Sequence, residues 1–170
     1  MVKPFEVQVT TSGFPGESAG LLTSSSHWRA IGIATMAYGY GLSVTPLQLA
    51  QAYATVGALG LHRPITFRRA GGSASAERVL NERVSRELID LLEGAVQPEG
   101  TGRKAAVPGY RVAGKTGTAW KASAGEYTTD RYLAVFAGLV PASQPRLAAV
   151  VMIFTGQAWK IIPHHRYLGN

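Results

Sequence analysis

At 170 residues the chain is long enough for one domain with a single core, and its 46% hydrophobic content is too high for a disordered tail. Seventeen Lys and Arg against ten Asp and Glu leave a formal charge of +7, yet no basic run exceeds Arg68-Arg69. The charge therefore reads as a solvated basic surface and not as a nucleic-acid site. Cysteine is absent, which excludes disulfides and thiolate metal sites. No apolar run approaches a membrane span and residues 1–20 carry no signal-peptide pattern, so the chain as written is expected to stay in the cytoplasm.

In chain order, residues 11–30 hold the turn-rich TSGFPGESAG and read as a loop. Residues 31–44, with Tyr38-Gly39-Tyr40-Gly41, read as tight turns and not as a regular element. A helix then begins with Thr45 as N-cap, Pro46 in the first helical position and Gln48 completing a capping box. Its apolar face runs Leu49, Ala50, Tyr53, Ala54 and Gly57, and the stretch Gly57 to Gly60 ends it. Residues 62–80 read as irregular. A second helix over 82–96 carries the stripe Val84, Leu88, Leu91, Leu92 and Ala95, expected to face the core.

After a polar, basic loop over 100–108 come three strand candidates, at 110–120, 131–140 and 146–154, with PASQP as a turn before the last. Helices followed by strands on short turns predict an α+β fold with an antiparallel meander.

Residues 109–116 spell Gly-x-x-x-x-Gly-Lys-Thr, the spacing of a phosphate-binding P-loop. That motif needs a strand before it and a helix N-terminus after it. Here Tyr110-Arg111-Val112-Ala113 between the glycines resemble a strand, and Thr-Gly-Thr-Ala-Trp follows Lys115 where a helix should start. The same residues also spell the Lys-Thr-Gly of serine acyl-enzymes. On a strand, Lys115 and Gly117 share one side, with Thr116 and Thr118 on the other.

Context favours the second reading. SGFPGESAG (12–20), HWRAIGIATMAYGYGLSVTPLQLAQAYATVG (27–57), EGTG (99–102) and VAGKTGTAWKASAGEYTTDRYLAVFAGLVPAS (112–143) resemble the transpeptidase domain of class B penicillin-binding proteins, the division-specific septal D,D-transpeptidases in particular. The likeness covers residues 11–153, as the C-terminal portion of that domain, with 1–10 a leader and 154–170 a tail outside it. The resemblance implies a penicillin-binding/serine β-lactamase-like fold, helices flanking an antiparallel sheet, and peptidoglycan stem peptides or β-lactams as ligands. It implies that Lys115 supports proton transfer and that Thr116 and Thr118 bind the substrate or drug carboxylate. Gly117 allows close approach of an acyl group, and the Thr118 N–H is one of two oxyanion donors.

The family builds its site from three motifs, of which only Lys115-Thr116-Gly117 is present. None of the serines has a lysine three places on, and neither Asn81 nor Asn170 follows a serine by two. Without its nucleophile the chain alone is expected to be inactive. No cofactor or metal is expected; neighbouring His164 and His165 diverge and read as part of a basic tail, and His27 as a structural hydrogen-bonder. An apolar sheet face left open predicts self-association or dependence on the missing N-terminal portion. Two rival readings are a non-catalytic assembly module that contacts other division proteins, and a nucleotide binder using Gly109 to Thr116.

Overall fold

The computed structural model describes residues 12, 14–22, 28–39, 41–67, 75–123 and 126–155. Two compact units, Met1–Ile89 and Asp90–Asn170, divide within a helix. The leader expected at 1–10, His27 and the tail from 156 onward, including His164 and His165, lie outside the described residues.

In the first unit, β1 (Leu21–Leu22) pairs antiparallel with β2 (Leu42–Ser43), and α1 (Ala30–Ala37) lies between them in sequence. Helix α1 corrects the expectation of turns over 31–44. Only Gly32 falls inside it, and the rest of AIGIATMA tolerates a helix. Gly39 and Gly41, at φ +85° and +79°, stand beyond its end, where left-handed backbone turns the chain.

Helix α2 (Pro46–Gly57) starts as expected: Thr45 Oγ1 accepts the Gln48 N–H at 3.1 Å, and Gln48 Oε1 accepts the Thr45 N–H at 2.8 Å. The buried Gln48 also donates through Nε2 to the Ala19 carbonyl at 2.9 Å, tying the 12–20 loop to the helix. Its buried residues are Gln48 and Thr55, whereas Ala54 of the expected apolar face is exposed. Both polar side chains have partners inside the fold, Thr55 donating to the Gln51 carbonyl at 2.9 Å, so their burial leaves nothing unsatisfied. β3 (Leu61–His62) and β4 (Glu77–Arg78) then form a two-residue antiparallel ladder in the stretch expected to be irregular.

Helix α3 (Glu82–Gly94) spans the division between the units. The expected stripe is displaced by about one residue: Ser85 and Ile89 are buried, while Leu91 is 74% exposed and Val84 39%. Ser85 goes inside because its hydroxyl donates to the Asn81 carbonyl at 3.1 Å one turn back. An apolar-only count therefore places the face wrongly.

The second unit is built on a meander of β5 (Ala113–Ser123), β6 (Glu126–Val140) and β7 (Leu147–Thr155), in the order β5-β6-β7 with both pairs antiparallel. This is the α+β arrangement read from the sequence. β5 and β6 stay in unbroken register from Ala113↔Leu139 to Trp120↔Tyr132, and a bulge follows between Trp120 and Ala122. The core lies at one end of this pairing, where Ala113, Ala137 and Leu139 share a face with exposures of 0%, 3% and 2%. On β7, Leu147, Val151 and Ile153 point to the opposite face from Ala137 and are all exposed.

Candidate active-site strand

All four sequence-predicted residues fall on β5, within the register shared with β6. The strand's other edge carries no partner strand among the described residues. Two close approaches show which backbone groups face that edge. A Cβ on Gly114 would stand 2.8 Å from the Ala137 carbonyl, and one on Gly138 would stand 3.0 Å from the Ala113 carbonyl. Those carbonyls therefore lie between the strands. Because both backbone groups of a residue point to one edge and alternate along a strand, Ala113, Lys115 and Gly117 address β6. Gly114, Thr116 and Thr118 turn their N–H and C=O groups to the open edge.

The side chains follow the expected alternation. Lys115 and Gly117 pair with Ala137 and Val135, on the face of buried Ala113; Thr116 and Thr118 pair with Phe136 and Ala134 on the other. Strict alternation alone would separate the lysine from the threonines. The lysine instead folds back, its Nζ donating to the Thr116 carbonyl at 2.9 Å. This brings the ammonium to the open edge, so the cluster is organised around the edge and not around one face. Lys115, Gly117 and Thr118 are exposed, and Thr116 is half-buried.

The strand is anchored at its start. Arg111 grips Glu93 at the end of α3 with both prongs, Nε to Oε1 at 2.7 Å and Nη2 to Oε2 at 2.6 Å. Hydrogen bonding from Arg111 holds the Glu93 carboxyl below the usual glutamate range, against the opposing effect of burial. The Arg111 carbonyl also accepts the Ala142 N–H at 2.7 Å, fastening the strand's entry to the turn after β6.

Sequence reasoning passed over two neighbours. Phe136 stands opposite Thr116, and its ring is hemmed by glycines: a Cβ on Gly114 would lie 2.5 Å from Cζ, and one on Gly138 2.8 Å from Cε1. Thr101 reaches the strand directly, its Oγ1 accepting the Thr116 hydroxyl at 3.1 Å. The signal for Thr101 was present in EGTG, but nothing in its spacing to Lys115 indicates contact.

The P-loop geometry does not form. Lys115 sits in mid-strand, and the strand runs on to Ser123 where that motif requires a helix. Among the described residues no group of His, Asp and Glu could hold a metal ion, and no helix is long and apolar enough to cross a membrane.

Residues 1–165 match the family model described as the penicillin binding protein transpeptidase domain. The chain is 44% identical over 153 residues to the peptidoglycan D,D-transpeptidase FtsI of Escherichia coli K12, covering 90% of this chain and 26% of that protein. It thus spans about a quarter of the curated relatives' length. Among solved structures, the transpeptidase domain of Burkholderia pseudomallei penicillin-binding protein 3 matches with a TM-score of 0.82 at 40% identity, over 89% of this chain and 46% of that one. Penicillin-binding protein 3 of Mycobacterium tuberculosis complexed with ampicillin matches with a TM-score of 0.78 at 32% identity, over 87% of this chain and 37% of that one.

Proposed function

The chain belongs to the penicillin-binding protein transpeptidase domain family, and from that premise we propose that it is the C-terminal portion of a septal peptidoglycan D,D-transpeptidase. In this reading residues 115–118 form one wall of a site for a stem peptide's terminal carboxylate or for a β-lactam. The observation that carries it is the open edge of β5, where the Lys115 ammonium meets the Thr116 carbonyl at 2.9 Å. A carboxylate arriving there finds a fixed positive charge and the hydroxyls of two threonines. The Thr118 N–H lies two residues beyond the Thr116 N–H and faces the same edge, a suitable donor to an oxyanion.

Gly117 supports the same reading. A Cβ there would meet nothing nearer than Val135 Cβ at 3.9 Å, so no neighbour among the described residues requires a glycine. The missing side chain leaves room for a ligand's acyl group to approach the backbone.

The nucleophile is another matter. None of the 170 residues is a serine with a lysine three places on, so the attacking hydroxyl must come from outside them. In a full site that serine attacks the peptide carbonyl, and Lys115 eases the proton transfers by its charge. The 170-residue chain by itself binds without acylating. Incubation with a fluorescent penicillin followed by a denaturing gel tests this: no labelled band is expected at 18.0 kDa, and a band there would overturn it.

The exposed apolar row Leu147, Val151 and Ile153 of β7 fits the self-association expected of a sheet face left open. Sedimentation tests it: concentration-dependent association is expected, and a monomer at high concentration would count against it.

A further inference from the structure

Thr101 belongs to the run Glu99-Gly100-Thr101-Gly102, to which the proposed site gives no task. Its oxygen accepts the Thr116 hydroxyl at 3.1 Å. The contact is built from both sides. Next to Thr101, the buried Gly102 donates its N–H to the Ala95 carbonyl at 2.8 Å. A Cβ on Gly102 would lie 3.5 Å from both the Phe136 ring and Val96. The loop is thus seated on the ring that stands opposite Thr116 in the sheet.

A threonine hydroxyl carries one proton and two lone pairs, and a carboxylate only accepts. To bind one, Thr116 must turn its proton toward the ligand, and its oxygen then offers a lone pair back to Thr101. We propose that Thr101 is the positioning residue for Thr116, and that it donates its proton to the Thr116 oxygen when a carboxylate binds. In the bound state Thr101 donates to Thr116, and Thr116 donates to the carboxylate. Each hydroxyl keeps its own proton, and only the two rotors turn. Hydrogen bonds aligned in this way polarise one another, so the second strengthens the first. The inference rests on the reading of Thr116 as a carboxylate binder.

The test is a titration of the isotopically labelled 170-residue chain with N-acetyl-D-alanyl-D-alanine, following the amides of residues 115–118 by NMR. Thr101→Val keeps the shape and removes the hydroxyl; Thr101→Ser keeps the hydroxyl. Loss of one hydrogen bond to a charged ligand's partner should weaken binding about fivefold in Thr101→Val, while Thr101→Ser stays within about twofold of the parent. Unshifted amides away from residues 99–102 and 114–118 show that the fold is intact; should Thr101→Val not fold, Thr101→Ala reads the same loss. Saturable binding that removal of the hydroxyl leaves unchanged, or that Thr101→Ser loses equally, overturns the relay alone. Absence of saturable binding by the parent chain overturns the carboxylate reading and the relay with it.

Discussion

Two glycines of β5, Gly114 and Gly117, answer to opposite demands. At Gly114 the strand faces Gly138 across the pair, and the Phe136 ring fills the space that two side chains would take. Three residues on, Gly117 has nothing among the described residues closer than ordinary contact. One glycine is required by packing, and the other by nothing among the described residues. The contrast separates structural from functional demand on a single strand: packing at Gly114 fixes the register, and the open edge at 115–118 carries the proposed chemistry at that fixed register.

Gly114→Ala should have the largest effect on stability. A Cβ 2.5 Å from Phe136 Cζ and 2.8 Å from the Ala137 carbonyl forces ring and strand apart, costing about 2 kcal/mol in urea unfolding. Phe136→Ala should remove the ring's share of that penalty and leave the share of the Ala137 carbonyl. A double-mutant cycle should therefore show coupling of roughly 1–2 kcal/mol, and additivity would break the idea that Phe136 sets the demand.

A smaller effect is expected at the strand's anchor. The folded Glu93 carboxyl titrates below its ordinary value, chiefly through its hydrogen bond with Arg111. A depressed carboxylate stabilises the fold fully above its unfolded pKa of about 4.3 and loses that contribution as pH falls through the folded value. The parent chain should thus melt above Glu93→Gln at pH 7, and the gap should close as the pH drops below about 4. Salt should narrow it too, since Arg111 is well exposed, its side chain at 59%. Thermal melts of both proteins across pH give the answer, and a gap that widens in acid would contradict the assignment.

Gly117→Ala should be the quietest in stability, within about 0.5 kcal/mol of the parent, because its Cβ would make only an ordinary contact. Binding of N-acetyl-D-alanyl-D-alanine should nevertheless weaken. A variant that unfolds while Gly114→Ala does not would reverse the comparison.

Much of this architecture was legible in the sequence, and the exceptions have physical reasons. The capping box at Thr45 and Gln48 formed as written because it is local: both bonds lie within four residues. The meander was readable from β-rich runs and short turns, although its limits shift: β5 begins at Ala113 and runs on to Ser123, and β6 begins as early as Glu126. Helix α1 was hidden because its flanking glycines, which end it, look like glycines that prevent it. The inward faces of α2 and α3 were misplaced because Gln48, Thr55 and Ser85 are buried with partners, which a hydrophobic count does not register. At the site, the period of two sorted Lys115 from Thr116 and Thr118 by face. It could not show the lysine folding back to the edge, which depends on its long, flexible side chain. Thr101 lay beyond any spacing argument, since its contact with Thr116 depends on how the loop after α3 closes.

The most direct test of the central claim is amide mapping by NMR as the 170-residue chain is titrated with ampicillin, followed by an intact mass on the same sample. Saturable, reversible shifts concentrated at Lys115, Thr116, Gly117 and Thr118 are expected, with a mass unchanged from 18.0 kDa. Shifts that avoid the open edge of β5, or a mass raised by one molecule of drug, would contradict it.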